Sequence, residues 1–166
     1  HQEMPKGDEQ GRMHGFQLWG NLPRALKMTD PRYQDVPSVE LPERHEDDGT
    51  QIRVVIGDYR GVKSPVEGIA ADPQYLDIFV PAGRRKVFQV DTRRRDLSGN
   101  RTLVRFGAGD EVTVTAGPEG VRFLLISGAP IEEPVAWAGP IVMNSEAELR
   151  QAFTELRNGT FIRPGH

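Results

Sequence analysis

Thirteen prolines and eighteen glycines are spread through 166 residues, where ordinary usage of about 12% would give roughly 20. Proline removes a backbone donor and glycine raises the entropic cost of regular structure, so the chain is broken every few residues. That punctuation suits many short strands and turns and works against a helix bundle. The length accommodates one domain and a fraction, since domains commonly run to roughly 100–150 residues.

Between the breaks the apolar period is mostly two. Residues 16–22 alternate and stop at Pro23. Pro23, Pro31, Pro37 and Pro42 then punctuate a stretch expected to lie over the surface as an ordered connector, down to the acidic turn Glu46-Asp-Asp-Gly49. Strands are expected over residues 51–56, 74–80, 86–90, 102–106, 111–115 and 121–126, with turn signals between the later ones. Such spacing implies an all-β sandwich or barrel. One helix is expected over 145–158. Ser145-Glu-Ala-Glu148 reads as a capping box, with Ser145 serving the Glu148 amide and Glu148 reaching back to Ser145. Leu149, Ala152, Phe153 and Leu156 form its apolar stripe, and Asn158-Gly159 ends it.

The absence of cysteine excludes a disulfide framework, a thiolate nucleophile, a cysteine zinc site and an iron–sulfur cluster. Any metal must then be held by His, Asp or Glu, and the histidines are His1, His14, His45 and His166. His1 and Glu3 stand two apart, which on a strand puts an imidazole and a carboxylate on one face. That pair can supply two ligands of a His-plus-carboxylate site for Fe(II), Mn(II) or a similar ion, or it can be a terminus without a role. His14 is a candidate third ligand or a turn histidine. His45, in an acidic turn, and His166, the last residue, carry no expected role.

A net charge of -3 gives no expectation of nucleic-acid or membrane-surface binding, and no apolar run approaches the ~18–20 residues of a membrane span. Residues 84–95 hold six basic side chains with Phe88 between the groups, a pattern open to phosphate binding or to a hairpin with solvated ends. Trp19 and Trp137 are expected as core or interface aromatics. No glycine-rich phosphate loop and no nucleophile elbow is present.

Taken together, His1-Gln-Glu-Met-Pro5, Gly15-Phe-Gln-Leu-Trp19, Asn21-Leu-Pro23, Lys27-Met28, Pro31-x-Tyr-Gln-Asp35, Leu124-Leu-Ile-Ser-Gly-Ala-Pro130, Glu133-Pro134 and Gly139-Pro-Ile-Val-Met-Asn144 resemble the pirin family of bicupins, in the family's order across nearly the whole chain. The resemblance implies two stacked cupin barrels, an Fe(II) or other divalent transition metal in the first, and a C-terminal helix strapped onto the assembly. It divides the chain into residues 1–45, the end of the first cupin plus a linker, and residues 46–166, the second cupin with helix 145–158. Of the family's ligands, an earlier His-x-His pair has no counterpart here, and the later His and Glu transfer to His1 and Glu3. The chain is therefore expected to begin partway through the first barrel, and a strand pair is expected to be missing between about Arg93 and Asp96. The second barrel is expected to lack a metal, because Arg122 or Phe123 follows Gly117-Pro-Glu-Gly120 where a ligand would stand.

The resemblance implies a quercetin 2,3-dioxygenase-type oxidoreductase acting on a flavonol-like small molecule, with Glu3 as the base for the flavonol hydroxyl. The alternative it carries is a non-enzymatic metal- or redox-sensing regulator that binds a protein partner. Neither reading involves direct nucleic-acid contact or a membrane, and the acidic, cysteine-free chain with no nuclear-localisation run is expected in a cytoplasmic protein.

Overall fold

The computed structural model describes residues 7–13, 15–70, 72–89, 102–106 and 109–161. Short strands dominate: β1 (Glu43–His45), β2 (Gln51–Ile56), β3 (Asp58–Tyr59), β4 (Val62–Lys63), β5 (Gln74–Val80), β6 (Arg85–Gln89), β7 (Glu111–Thr115), β8 (Val121–Ser127), β9 (Ala136–Ala138) and β10 (Ile141–Met143). One α-helix, α1 (Glu146–Arg157), closes the described chain, and two 3-10 turns lie at Arg24–Leu26 and Ser38–Glu40. The strand-rich architecture is the one the glycine and proline spacing implied, and the C-terminal helix is the one its capping box implied.

An antiparallel four-stranded sheet runs in the order β1-β2-β5-β8. Its inner face follows from period-two alternation: Ile52 lies opposite Ile78, Val54 opposite Leu76, Leu76 opposite Leu125 and Ile78 opposite Phe123. The antiparallel β6–β7 pair supplies Phe88 and Val112 to the same core, joined by Tyr59 and Ala116. Phe88 packs edge-on against Phe123 at 5.8 Å between ring centres. The interior of this unit is filled with side chains.

A second, smaller core lies at the C-terminus. Ala136 and Ile141 of the β9–β10 hairpin pack against Leu149 and Ala152 of α1. Ser145 caps the helix as expected, its hydroxyl accepting from the Glu148 amide at 3.3 Å. The reciprocal bond differs from a standard capping box. Glu148 Oε2 accepts from the Ser145 hydroxyl at 2.9 Å and from the Asn144 amide at 3.2 Å, because the carboxylate also turns toward Arg24. The stripe is narrower than its sequence suggested, since Phe153 is half-buried and Leu156 is exposed.

Four further expectations need correction. Residues 16–22 form no strand, because no described strand lies beside them to complete a ladder. Residues 102–106 are likewise irregular, although Phe106 packs on the main core. The proline-rich connector ends at Pro42 and not at Gly49: Glu43–His45 add to the sheet edge, and the Pro42 carbonyl accepts from the Val54 amide at 2.9 Å. Trp19 and Trp137 are exposed and fill neither core, which leaves the interface role of the two expected for them. The suspected gap between Arg93 and Asp96 lies outside the described residues.

Candidate functional site

His1 and Glu3, the residues singled out as metal ligands and Glu3 as base, lie outside the described residues, as do His14, His166 and Arg93–Arg95. His45 is exposed at the end of β1, its Nε2 3.5 Å from Glu43. Among the described residues no group of three or more His, Asp or Glu side chains could hold a metal ion. β8, the strand after Gly117-Pro-Glu-Gly120, turns successive side chains to opposite faces. Phe123 turns inward onto Phe88, and Arg122 turns outward to grip Asp77 through two bonds, Nε to Oδ1 at 2.9 Å and an amino group to Oδ2 at 2.5 Å. The Arg122 guanidinium holds the Asp77 carboxyl below the ordinary range against the opposing effect of burial. Phe88 is fully buried, so the aromatic of the basic segment is a core residue and offers no stacking surface.

The densest polar arrangement sits where the β1–β2 hairpin meets β3–β4 and β6. Glu46 and Asp48 flank the acidic turn, whose Gly49 amide donates to the Glu46 carbonyl at 2.9 Å. Asp48 Oδ1 accepts from the Thr50 amide at 2.9 Å. Opposite them, Lys86 lies two residues from the core residue Phe88 on the same inward face of β6, bonding Asp48 Oδ2 at 2.7 Å and Glu46 Oε2. The other Glu46 oxygen accepts from the Tyr59 hydroxyl at 3.2 Å and from Arg60 at 3.0 Å. Arg60 also lies over the Tyr59 ring at 5.6 Å.

Charge follows from this geometry. Burial pushes Glu46 up, but the Lys86 ammonium and the Arg60 guanidinium outweigh it and hold its carboxyl below the ordinary value. Lys86 and the Thr50 amide hold Asp48 far below the carboxylate range. Burial opposes the charge on Lys86, and its two carboxylate partners reverse that effect and raise it. Tyr59 is raised by burial and by the Glu46 charge. The cluster borders an open cleft of about 280 Å³ that Arg44 also lines. Sequence reading treated this segment as an exposed turn. Its signal is the Glu-Asp-Asp-Gly-Thr run itself, paired with a lysine two residues before Phe88 on the inward face of a strand. No helix among the described residues is long and apolar enough to cross a membrane.

A family model described as the pirin C-terminal cupin domain matches residues 77–162. A pirin-like protein of Caulobacter vibrioides is 40% identical over 178 residues, 97% of this chain and 63% of that protein. Pirin-1 of Arabidopsis thaliana is 35% identical over 179 residues, 95% of this chain and 60% of that protein. The chain thus spans somewhat over half the length of these relatives. A solved quercetin 2,3-dioxygenase from Acinetobacter baumannii superposes with a TM-score of 0.68 at 26% identity, over 86% of this chain and 55% of that one.

Proposed function

The chain belongs to the pirin family, and from that premise we propose that it is part of a cupin metalloprotein with quercetin 2,3-dioxygenase-type activity, dependent on Fe(II) or another divalent transition metal. The observation carrying this reading is the likeness in fold and sequence to the Acinetobacter baumannii quercetin 2,3-dioxygenase. Residues 1–45 are assigned to the end of the first cupin and the linker, and residues 46–166 to the second cupin. The interior of the second barrel, with Phe123 packed on Phe88, does not suit a metal. The ion is therefore assigned to the first barrel, with His1 and Glu3 as two of its ligands. When bound, it supplies Lewis acidity toward the hydroxyl and carbonyl oxygens of a flavonol-like substrate. Glu3 is assigned as the general base that takes the proton of the substrate hydroxyl. The protein is assigned to the cytoplasm.

The test is oxygen uptake by the full-length gene product, loaded with Fe(II) and supplied with quercetin. Turnover that falls at least 100-fold in Glu3→Gln is the expected result. No oxygen uptake with confirmed iron loading overturns the reading.

A second reading, a metal- or redox-sensing regulator that docks on a protein partner, is favoured by one observation. Trp137 and Val135, on the β9–β10 hairpin and beside it, are exposed by 71% and 64%. A pull-down with iron-loaded and iron-free protein that recovers the same background in both states, and nothing else, counts against it.

A further inference from the structure

The cleft beside the acidic turn has an imbalance between donors and acceptors. Its three cations, Arg44, Arg60 and Lys86, face Glu46, Asp47 and Asp48, so the formal charges cancel. The hydrogen bonds do not. Asp48 is taken up by Lys86 and the Thr50 amide, and Glu46, only 7% exposed, is taken up by Lys86, Tyr59 and Arg60. Arg60 spends a single N–H on Glu46, and the Arg44 guanidinium makes no hydrogen bond to any described residue. Glu46 cannot satisfy Arg44 as well. Its nearer oxygen stands 3.7 Å from Arg44 Nε, an ion-pair distance but too long for a hydrogen bond, and that Nε is buried without a partner.

Both arginines are held where they are by the fold. Arg44 lies opposite Ile52 in the β1–β2 register, which places it on the core side of the sheet at its edge. Arg60 occupies the turn of the β3–β4 hairpin with φ +50, a conformation unfavourable for a side chain of its size. Two guanidiniums with most of their donors unspent thus border one polar cleft. Its volume, about 280 Å³, falls below the roughly 300–1,000 Å³ of pockets for drug-sized ligands.

We infer that this cleft is a binding site for a small carboxylate, gripped by the terminal N–H groups of Arg44 and Arg60. A planar carboxylate matches the guanidinium fork, which a single ammonium cannot reproduce. Asp47, at the rim, repels the ligand and limits the affinity. The site is independent of the metal and of the oxygenase reading, since none of its residues is a proposed metal ligand or base.

Succinate and inorganic phosphate are titrated separately, at constant ionic strength, into the isotope-labelled chain, following the arginine Nε–H signals by NMR. Saturable shifts of the Arg44 and Arg60 signals with succinate are expected, weakened at least 10-fold in Arg60→Lys and strengthened several-fold in Asp47→Asn. Asp47→Asn is a surface change that leaves both arginines in place, so it reports even where Arg60→Lys perturbs the hairpin. Linear shifts without saturation overturn the site, as does equal binding in Arg60→Lys. Tighter binding of phosphate than of succinate overturns the carboxylate assignment.

Discussion

The Arg24 guanidinium lies 2.5 Å from Glu148 Oε1, joining the start of the proline-rich connector to the first turn of α1, 124 positions later. Glu133 completes the junction, its Oε2 accepting from the Arg24 amide at 2.7 Å and from the Asn144 side chain at 2.9 Å. One carboxylate therefore serves as helix cap and as tether. The helix N-terminus favours that negative charge, and the arginine is drawn to it. Farther along, Arg32 donates to the carbonyls of Glu67 and Gly68, and Gln34 exchanges two bonds with the Glu67 backbone. The connector is fastened at both of these points to the unit it crosses.

Ser145→Ala removes the cap hydroxyl and is expected to cost about 1 kcal/mol in urea denaturation. Glu148→Gln keeps the side-chain shape but loses the charge that holds Arg24. The Ser145 hydroxyl and then Arg24 keep the Glu148 carboxyl below its ordinary value. Its contribution is thus present above the unfolded value near ~4.3 and is lost as pH falls through the lower folded value. Glu148→Gln should therefore remove part of the acid dependence of stability, and the two variants should not be additive, because both act on one junction.

Lys86→Met tests the polar cluster. It leaves Glu46 and Asp48 close together, half-sheltered and without their shared cation. A loss of roughly 2–3 kcal/mol at pH 7 is expected, the range for a charged hydrogen-bonded partner removed from a protected site. In the native protein both carboxyls titrate lower folded than unfolded. Their contribution is complete above the unfolded values near ~3.9–4.3 and is lost as pH falls through the folded ones. Stability should therefore be nearly flat from pH 7 to 5 and fall below about pH 4, with the fall shallower in Lys86→Met. Lys86 has the opposite sign. Its raised value makes its contribution complete below ~10.4 and lost as pH rises beyond it. Denaturation midpoints measured from pH 3 to 11 check both limbs.

Phe88→Ala should cost about 3–5 kcal/mol, because the ring is 1% exposed and contacts Phe123 and Tyr59 across the two sheets. Val87→Ala, the neighbour on the exposed face, serves as the control and should change stability by less than about 1 kcal/mol. Equal losses in the two would show that β6 does not lie in the register described.

The strands with strict alternation were legible from sequence because burial itself writes the pattern. Residues 51–56 and 111–115 emerge with the bounds expected, and 74–80 likewise. The elements that escaped have no such pattern. Glu43-Arg-His45 is an edge strand with no buried residue, and β3–β4 and β9–β10 are too short for a period to show. Residues 16–22 alternate as a strand would, and no partner strand is described for them. The polar cluster escaped for a different reason. Arg44 and Glu46, Arg60, and Lys86 come from three separate segments, and only the folding of the β1–β2 hairpin, β3–β4 and β6 brings them together.

The turn that orients this cluster depends on one backbone conformation. Gly49 has φ +84, in the left-handed region, and follows a turn closed by its own amide on the Glu46 carbonyl. That geometry adds one residue to the hairpin and sets Glu46 and Asp48 on the same side, toward Lys86. A Cβ at position 49 would also stand 3.1 Å from Pro81 Cγ. Gly49→Ala is therefore expected to cost about 1–2 kcal/mol, from the positive φ and from the crowding of Pro81. Gly49→Asn separates the two causes. Asparagine tolerates the left-handed region better than alanine but carries the same Cβ. A smaller loss in Gly49→Asn than in Gly49→Ala, measured by urea denaturation at unchanged m-value, assigns the cost to the backbone. Equal losses assign it to Pro81.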